Sequence, residues 1–240
     1  MMAAIKVENL TKCYQSQIAL NNLNLTVKQG TVFGLLGANG AGKSTAIECI
    51  LGTKTADNGS ISVLGCNPVK TRRHLFQRVG VQFQDGDYQN EIKVKELCKE
   101  TACLYQHPLD YKTLCKRFGI FDKLNQAVKH LSGGERQKLF IVLALIGRPE
   151  LVFLDELTTG LDAKARREVW KILLELKSQG LTVLLTSHFM DEVESLCDEI
   201  CILKKGNVVF TGTVEEAKAL CHTDQFEDAY LQLADEEGLL

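Results

Sequence analysis

The nine residues Gly37-Ala38-Asn39-Gly40-Ala41-Gly42-Lys43-Ser44-Thr45 constrain this chain more than any other stretch. Glycines stand at both ends of a four-residue gap and are followed by Lys and Ser, the G-x-x-x-x-G-K-[ST] spacing of a P-loop. Gly37, Gly40 and Gly42 let the backbone turn tightly and aim successive N–H groups inward, making a concave anion nest. Lys43 can then reach the β- and γ-phosphates of a nucleotide, and the Ser44 hydroxyl can ligate Mg²⁺. The flanks agree. The apolar run at 31–36 reads as a buried strand, and 44–51 as a helix whose N-terminus faces the phosphates. The expected fold is therefore α/β with a P-loop NTPase core, and the expected ligand is a nucleoside triphosphate.

The elements on either side fill out that core. Apolar and polar residues alternate through Ile5, Val7, Leu10, Leu20, Leu23, Leu25 and Val27, which predicts an N-terminal antiparallel β layer with turns near Asn21-Asn22 and Gln29-Gly30. Short strands are expected at 59–64 and 79–83. From 92 to 146 the pattern is helical, with helices expected at 94–105, 111–118, 122–129 and 134–146. This stretch reads as a helical subdomain, roughly 88–147, inserted into the core. The α/β pattern returns with strands at 151–154 and 181–186 and an amphipathic helix at 163–178, which Gly180 ends. A helix at 189–196, a hairpin turning at 204–207 and two short helices complete the chain. The nucleotide-binding domain is expected to span 1–222, with 223–240 as a helical tail.

Composition excludes several classes. A net charge of −2 over 240 residues, with no long run of one sign, gives no footprint for nucleic-acid binding. No apolar stretch nears the roughly 20 residues that span a bilayer, and the N-terminus lacks a secretory pattern. The nine cysteines include no C-x-x-C pair, so zinc spacing is absent, and reduced, buried thiols are expected.

Two further motifs carry chemistry. Leu151-Val152-Phe153-Leu154-Asp155-Glu156 is a buried strand ending in two carboxylates, and strand C-termini in an open α/β sheet face the ligand crevice. Asp155 suits the Mg²⁺ shell, and Glu156 suits polarising the attacking water. Leu131-Ser132-Gly133-Gly134-Glu135 precedes the helix running to 146. A serine hydroxyl and glycine N–H groups at a helix N-terminus make a second phosphate-type nest.

With these motifs the chain resembles the nucleotide-binding subunit of ATP-binding-cassette (ABC) transporters. The ordered match runs from about residue 5 to 212. It takes in the P-loop, Gln84, the Leu131–Glu135 signature, Asp155-Glu156, Thr159-Gly160-Leu161-Asp162, and Ser187-His188. The resemblance implies ATP and Mg²⁺ as ligands and a head-to-tail pair of ATPase copies, homodimeric or paralogous. One copy's P-loop would share each ATP with the other copy's signature. Ser132 and Gly134 would then contact the partner's γ-phosphate, with Gly133 and Glu135 beside them. His188 would contact the γ-phosphate from its own side, Gln84 the metal and the water, and Tyr14 the adenine ring. Ala38 stands where the family commonly has Pro, and Leu157 follows Asp155-Glu156 where Pro is usual.

The run His188-Phe189-Met190-Asp191-Glu192-Val193-Glu194 and the tail Phe226-Glu227-Asp228-Ala229-Tyr230-Leu231 are similar to those of export-type members, which include drug and antibiotic exporters. The expectation is a cytoplasmic ATPase, peripheral to the inner face of the membrane through separate integral permease subunits, with no nucleic-acid partner. A soluble single-cassette ATPase, such as one serving iron–sulfur cluster assembly, and an importer subunit are the alternatives.

Overall fold

In the computed structural model, residues 2–15, 17–82 and 91–234 are described. In chain order the elements are β1 (Ala3–Tyr14), β2 (Gln17–Lys28), β3 (Val32–Leu36), α1 (Lys43–Ile50), β4 (Asn58–Val63), α2 (Arg72–Leu75) and β5 (Val79–Gln82). They continue with α3 (Val94–Cys103), α4 (Tyr111–Arg117), α5 (Gly133–Ile146), β6 (Leu151–Leu154), α6 (Ala163–Ser178) and β7 (Thr182–Leu185). Last come α7 (Met190–Leu196), β8 (Glu199–Lys204), β9 (Asn207–Gly212), α8 (Val214–Leu220) and α9 (Phe226–Ala234). The chain divides into two compact units, Met1–Leu75 with Thr186–Leu240, and Phe76–Leu185.

The first unit contains the antiparallel layer, in the order β2-β1-β4. Alternate side chains of β1 and β2 are buried, including Ile5, Val7, Leu23, Leu25 and Val27, as period-2 patterning requires. The structure corrects the turn expected at Asn21-Asn22. β2 passes through both residues, and the register slips there, from Leu10↔Leu23 to Lys12↔Leu20. Asn22 takes a φ of 50° and its N–H donates across the strands to Thr11 Oγ1. An Asn pair marks a bulge as readily as a turn, because both need left-handed backbone. In the same unit β3 pairs parallel with β8, and β8 pairs antiparallel with β9. Leu36, Ile200 and Ile202 pack with Val193, Val214, Ala217, Phe226 and Ala229, so α7, α8 and α9 close one hydrophobic cluster around β8. Fully burying the Leu, Ile, Val and Phe side chains of this cluster stabilises by roughly 1.5–3 kcal/mol each.

The second unit is built on β5, β6 and β7, paired parallel in that order. β6 and β7 are buried at every position, which explains their unbroken apolar runs. Helix α5 is buried all round from Leu139 to Ile146, with only its N-terminal turn polar and exposed, and it packs on α3, α4 and β5. A Schellman end closes α6, with Gly180 at φ 99° and the Leu181 N–H donating to Leu176 O at 3.1 Å.

The helix expected at 122–129 is replaced by two 3-10 turns, Phe121–Lys123 and Val128–His130. Its backbone groups bond outward instead. The Val128 N–H donates to Ile92 O, while Gln126 O and Leu124 O accept from Val94 and Lys95 at the start of α3. The cysteines are all free, as expected, but only Cys49, Cys98, Cys115 and Cys201 are buried, and Cys103 is exposed. Cys98 and Cys115 hydrogen-bond each other between α3 and α4.

Candidate functional site

The phosphate nest lies between β3 and α1. Gly37, Gly40 and Gly42 have φ values of 147°, 79° and 107°, in the region that favours glycine. A Cβ on Gly37 would meet Leu203 O at 2.4 Å, and one on Gly42 would meet Ala19 O at 2.7 Å, so the loop needs bare backbone at both positions. The Lys43 ammonium curls back over the loop, donating to Gly37 O at 2.6 Å and Ala38 O at 3.1 Å. Ala38, Asn39, Gly40 and the Ser44 side chain are exposed, Thr45 is half-buried and Ala41 is buried. Inward N–H groups, an ammonium over them and an exposed hydroxyl at a helix N-terminus fit a polyphosphate carrying a divalent cation.

A buttress that the sequence reading missed holds this loop from behind. The Gly206 N–H, in the β8–β9 turn, donates to Ala41 O at 2.9 Å, and Gly206 O accepts from Asn21 at 2.9 Å. Gly206 has φ 78°, and a Cβ there would meet Ala19 O at 2.6 Å. Gly206→Val therefore combines a left-handed β-branched residue with a backbone clash, costing about 1–3 kcal/mol. The expected result is a lower melting temperature and several-fold weaker binding of an ATP analogue, read by thermal denaturation and titration. Wild-type affinity in a folded variant would show that the turn does not support the nest. The residues around Gly206 signalled only a hairpin, and nothing in them points to the P-loop.

Tyr14 ends β1 and is 40% exposed. The Lys12 and Lys54 ammonium groups stand 5.5 and 5.3 Å from its ring centroid, within cation–π range. His188 is exposed in the turn before α7, where Ser187 Oγ accepts from the Phe189 N–H at 3.0 Å. Gln84 lies outside the described residues, as does the polar stretch 85–90.

In the second unit, Asp155 and Glu156 follow β6 and are both half-buried. Their backbone is held by two glutamines. Gln82 Nε2 donates to Asp155 O at 3.1 Å, and the Asp155 N–H donates to Gln82 O at 3.1 Å. Gln137 Nε2, from the buried side of α5, donates to Glu156 O at 3.1 Å and Leu157 O at 2.7 Å. Glu156 has φ 51°, a left-handed conformation uncommon for a non-glycine residue, and the two carbonyl contacts and the buried Leu157 side chain fix it there. Gln137 was absent from the expected site. The one available signal was an amide in a helix otherwise apolar from 139 onward.

The second nest is the N-terminus of α5. Ser132 Oγ accepts from the Glu135 N–H at 3.2 Å, and the Glu135 carboxylate accepts from the Ser132 N–H at 2.9 Å, a reciprocal capping box. Backbone hydrogen bonding from Ser132, then the Lys123 ammonium, hold the Glu135 carboxyl below the usual range. An open cleft of about 340 Å³ fronts this turn, lined by Ser132, Gly133, Gly134, Lys138, Leu161 and Asp162 among others. Asp162 caps α6 by accepting from Ala165 at 2.8 Å. The structure thus places the signature and the 159–162 loop around one cleft. Gly133 faces open space, where a donor at a helix N-terminus can meet an anion.

Comparison with known proteins agrees with this geometry. The model of the ABC transporter family matches residues 20–159. The chain is 39% identical over 221 residues to the Nod factor export ATP-binding protein I of Rhizobium meliloti (strain 1021), covering 87% of this chain and 64% of that protein. It is 37% identical to the protein of the same name from Burkholderia lata, covering 88% of this chain and 71% of the other. The chain thus spans less than two-thirds of the first relative's length and somewhat more of the second's. A solved structure of an ATP-binding subunit of an ABC transporter superposes with a TM-score of 0.87 at 27% identity, covering 96% of this chain and 99% of that one.

Proposed function

Because this chain belongs to the ABC transporter family, we propose that it is the ATP-binding and ATP-hydrolysing subunit of an exporter, acting through separate membrane-embedded permease subunits. The observation that carries the proposal is the bare-backbone nest of Gly37–Thr45 with the Lys43 ammonium over it. The nest's N–H groups and Lys43 hold the triphosphate, and Tyr14 stacks on the adenine, a contact tolerant of base identity. The Ser44 hydroxyl, Asp155 and Gln84 would hold Mg²⁺, which would neutralise charge on the phosphate oxygens. Glu156 orients the attacking water and accepts its proton, and His188 stabilises charge on the γ-phosphate. Ser132 and Gly134 of a second copy complete the site from the far side of the nucleotide. ATP thereby draws two copies together and hydrolysis releases them.

Outward transport is supported by the relatives, which are named as export ATP-binding proteins. The iron–sulfur assembly and importer alternatives find no such support. No helix among the described residues is long and apolar enough to cross a membrane. In this proposal the cargo pathway belongs to partner chains and the ATPase works at the membrane's cytoplasmic face. The test is affinity purification of the full chain from detergent-solubilised membranes of its own cells. The expected result is co-purification of a multi-span membrane protein that raises its ATPase rate. Recovery with an iron–sulfur scaffold and no membrane protein would overturn the exporter assignment.

A further inference from the structure

The signature nest contains a carboxylate that an incoming phosphate should not welcome. Glu135 sits in the first turn of α5, on the cleft into which a second copy's ATP would project in the shared-site reading, on which this inference rests. A carboxylate a few ångströms from a triphosphate repels it unless its charge is offset. The offset is present. Lys123 Nζ lies 3.0 Å from Glu135 Oε1 and 3.5 Å from Asp122 Oδ2. Lys123 ends the first of the two 3-10 turns that replace the expected helix. The break that sends Val128 to Ile92 also leaves Lys123 free of a regular helix, with its ammonium on the α5 cap. Lys138, which lines the cleft, is instead 3.6 Å from Glu168.

We propose that Lys123 is a positioning residue for the shared ATP site: it holds the Glu135 carboxylate on the Ser132 N–H and cancels its charge, keeping the Ser132–Gly134 nest receptive to a phosphate from the second copy. The cap itself does not need the charge, because a glutamine at 135 could still accept from the Ser132 N–H. The mutual shifts of the pair, Lys123 raised and Glu135 lowered, agree with a direct contact.

The test uses the full chain with Glu156→Gln as the parent, so that ATP persists. Light scattering gives the ATP concentration for half-maximal dimer formation. Fluorescent ATP-analogue titration gives monomer binding at low protein concentration. Lys123→Met should raise the dimerisation midpoint about five- to ten-fold, the size of one like-charge contact at about 4 Å screened as in bulk water. Its monomer affinity should stay at the parent value, and Lys123→Arg should keep the parent midpoint. Adding Glu135→Gln should remove the effect, so that the Lys123→Met/Glu135→Gln protein dimerises at the same ATP concentration as Glu135→Gln alone. An unchanged midpoint in Lys123→Met overturns the proposal. A double variant as impaired as Lys123→Met also overturns it, since the lysine would then act through the fold. A parent that never dimerises with ATP overturns the shared-site reading and this proposal together, whereas a dimerising parent isolates the failure to Lys123.

Discussion

Glu156→Gln is expected to leave ATP binding intact, to lower steady-state hydrolysis by about 10²–10⁴-fold, and to accumulate an ATP-bound dimer. The substitution is nearly isosteric, and the features that set the residue's backbone do not depend on its charge. Gln137 still reaches Glu156 O, and the Thr159 N–H still donates to the same carbonyl at 3.2 Å. What disappears, in the proposed role, is an anionic base for the proton of the attacking water. The phosphate nest lies elsewhere in the chain, so nucleotide affinity does not follow the loss. Phosphate release under saturating ATP, with size determined by light scattering, checks both halves. Near wild-type turnover would remove Glu156 from its role.

Ser132→Arg is expected to abolish the ATP-dependent dimer while monomeric ATP binding persists. Two effects of different size act here. Losing the hydroxyl that accepts from the Glu135 N–H costs about 1 kcal/mol of stability, too little to unfold a domain of this size. The larger effect is steric and local, because an arginine side chain rising from the N-cap occupies the open cleft in front of Gly133. Ser132→Ala separates the two, since it loses the cap and leaves the cleft open. An ATP-dependent dimer of normal stability in Ser132→Arg would rule out the shared site.

Much of this architecture could be read from the sequence because local and tertiary demands coincide. At 31–51 the buried strand, the positive-φ glycines and the helix are each dictated by their own residues, and they appear as β3, the nest and α1. Elsewhere distant partners outbid local preference. Residues 122–129 carry helical composition, yet their backbone groups bond to Ile92, Val94 and Lys95. Asn21-Asn22 looked like a turn, but Thr11 on the neighbouring strand turned it into a bulge. Within the site, residues with reactive groups were legible and their supports were not. Glu156 could be named from its place after an apolar strand, whereas its left-handed backbone and the Gln137 amide that fixes it exist only once α5 lies beside β6.

The bond from Gly206 to Ala41 bears on the order of events during synthesis. The nest's own residues leave the ribosome early, but one of the amides that steadies them belongs to a hairpin made late in the chain. Closing that contact requires the intervening chain to be present, and contacts of such sequence separation form slowly. A nascent chain stalled before β9 should hold the whole motif and still bind nucleotide poorly, gaining its grip when the last strand of the hairpin emerges. Hydrogen exchange on the finished protein should show the same linkage in reverse, with nucleotide slowing exchange at Gly206 as well as in the loop it supports.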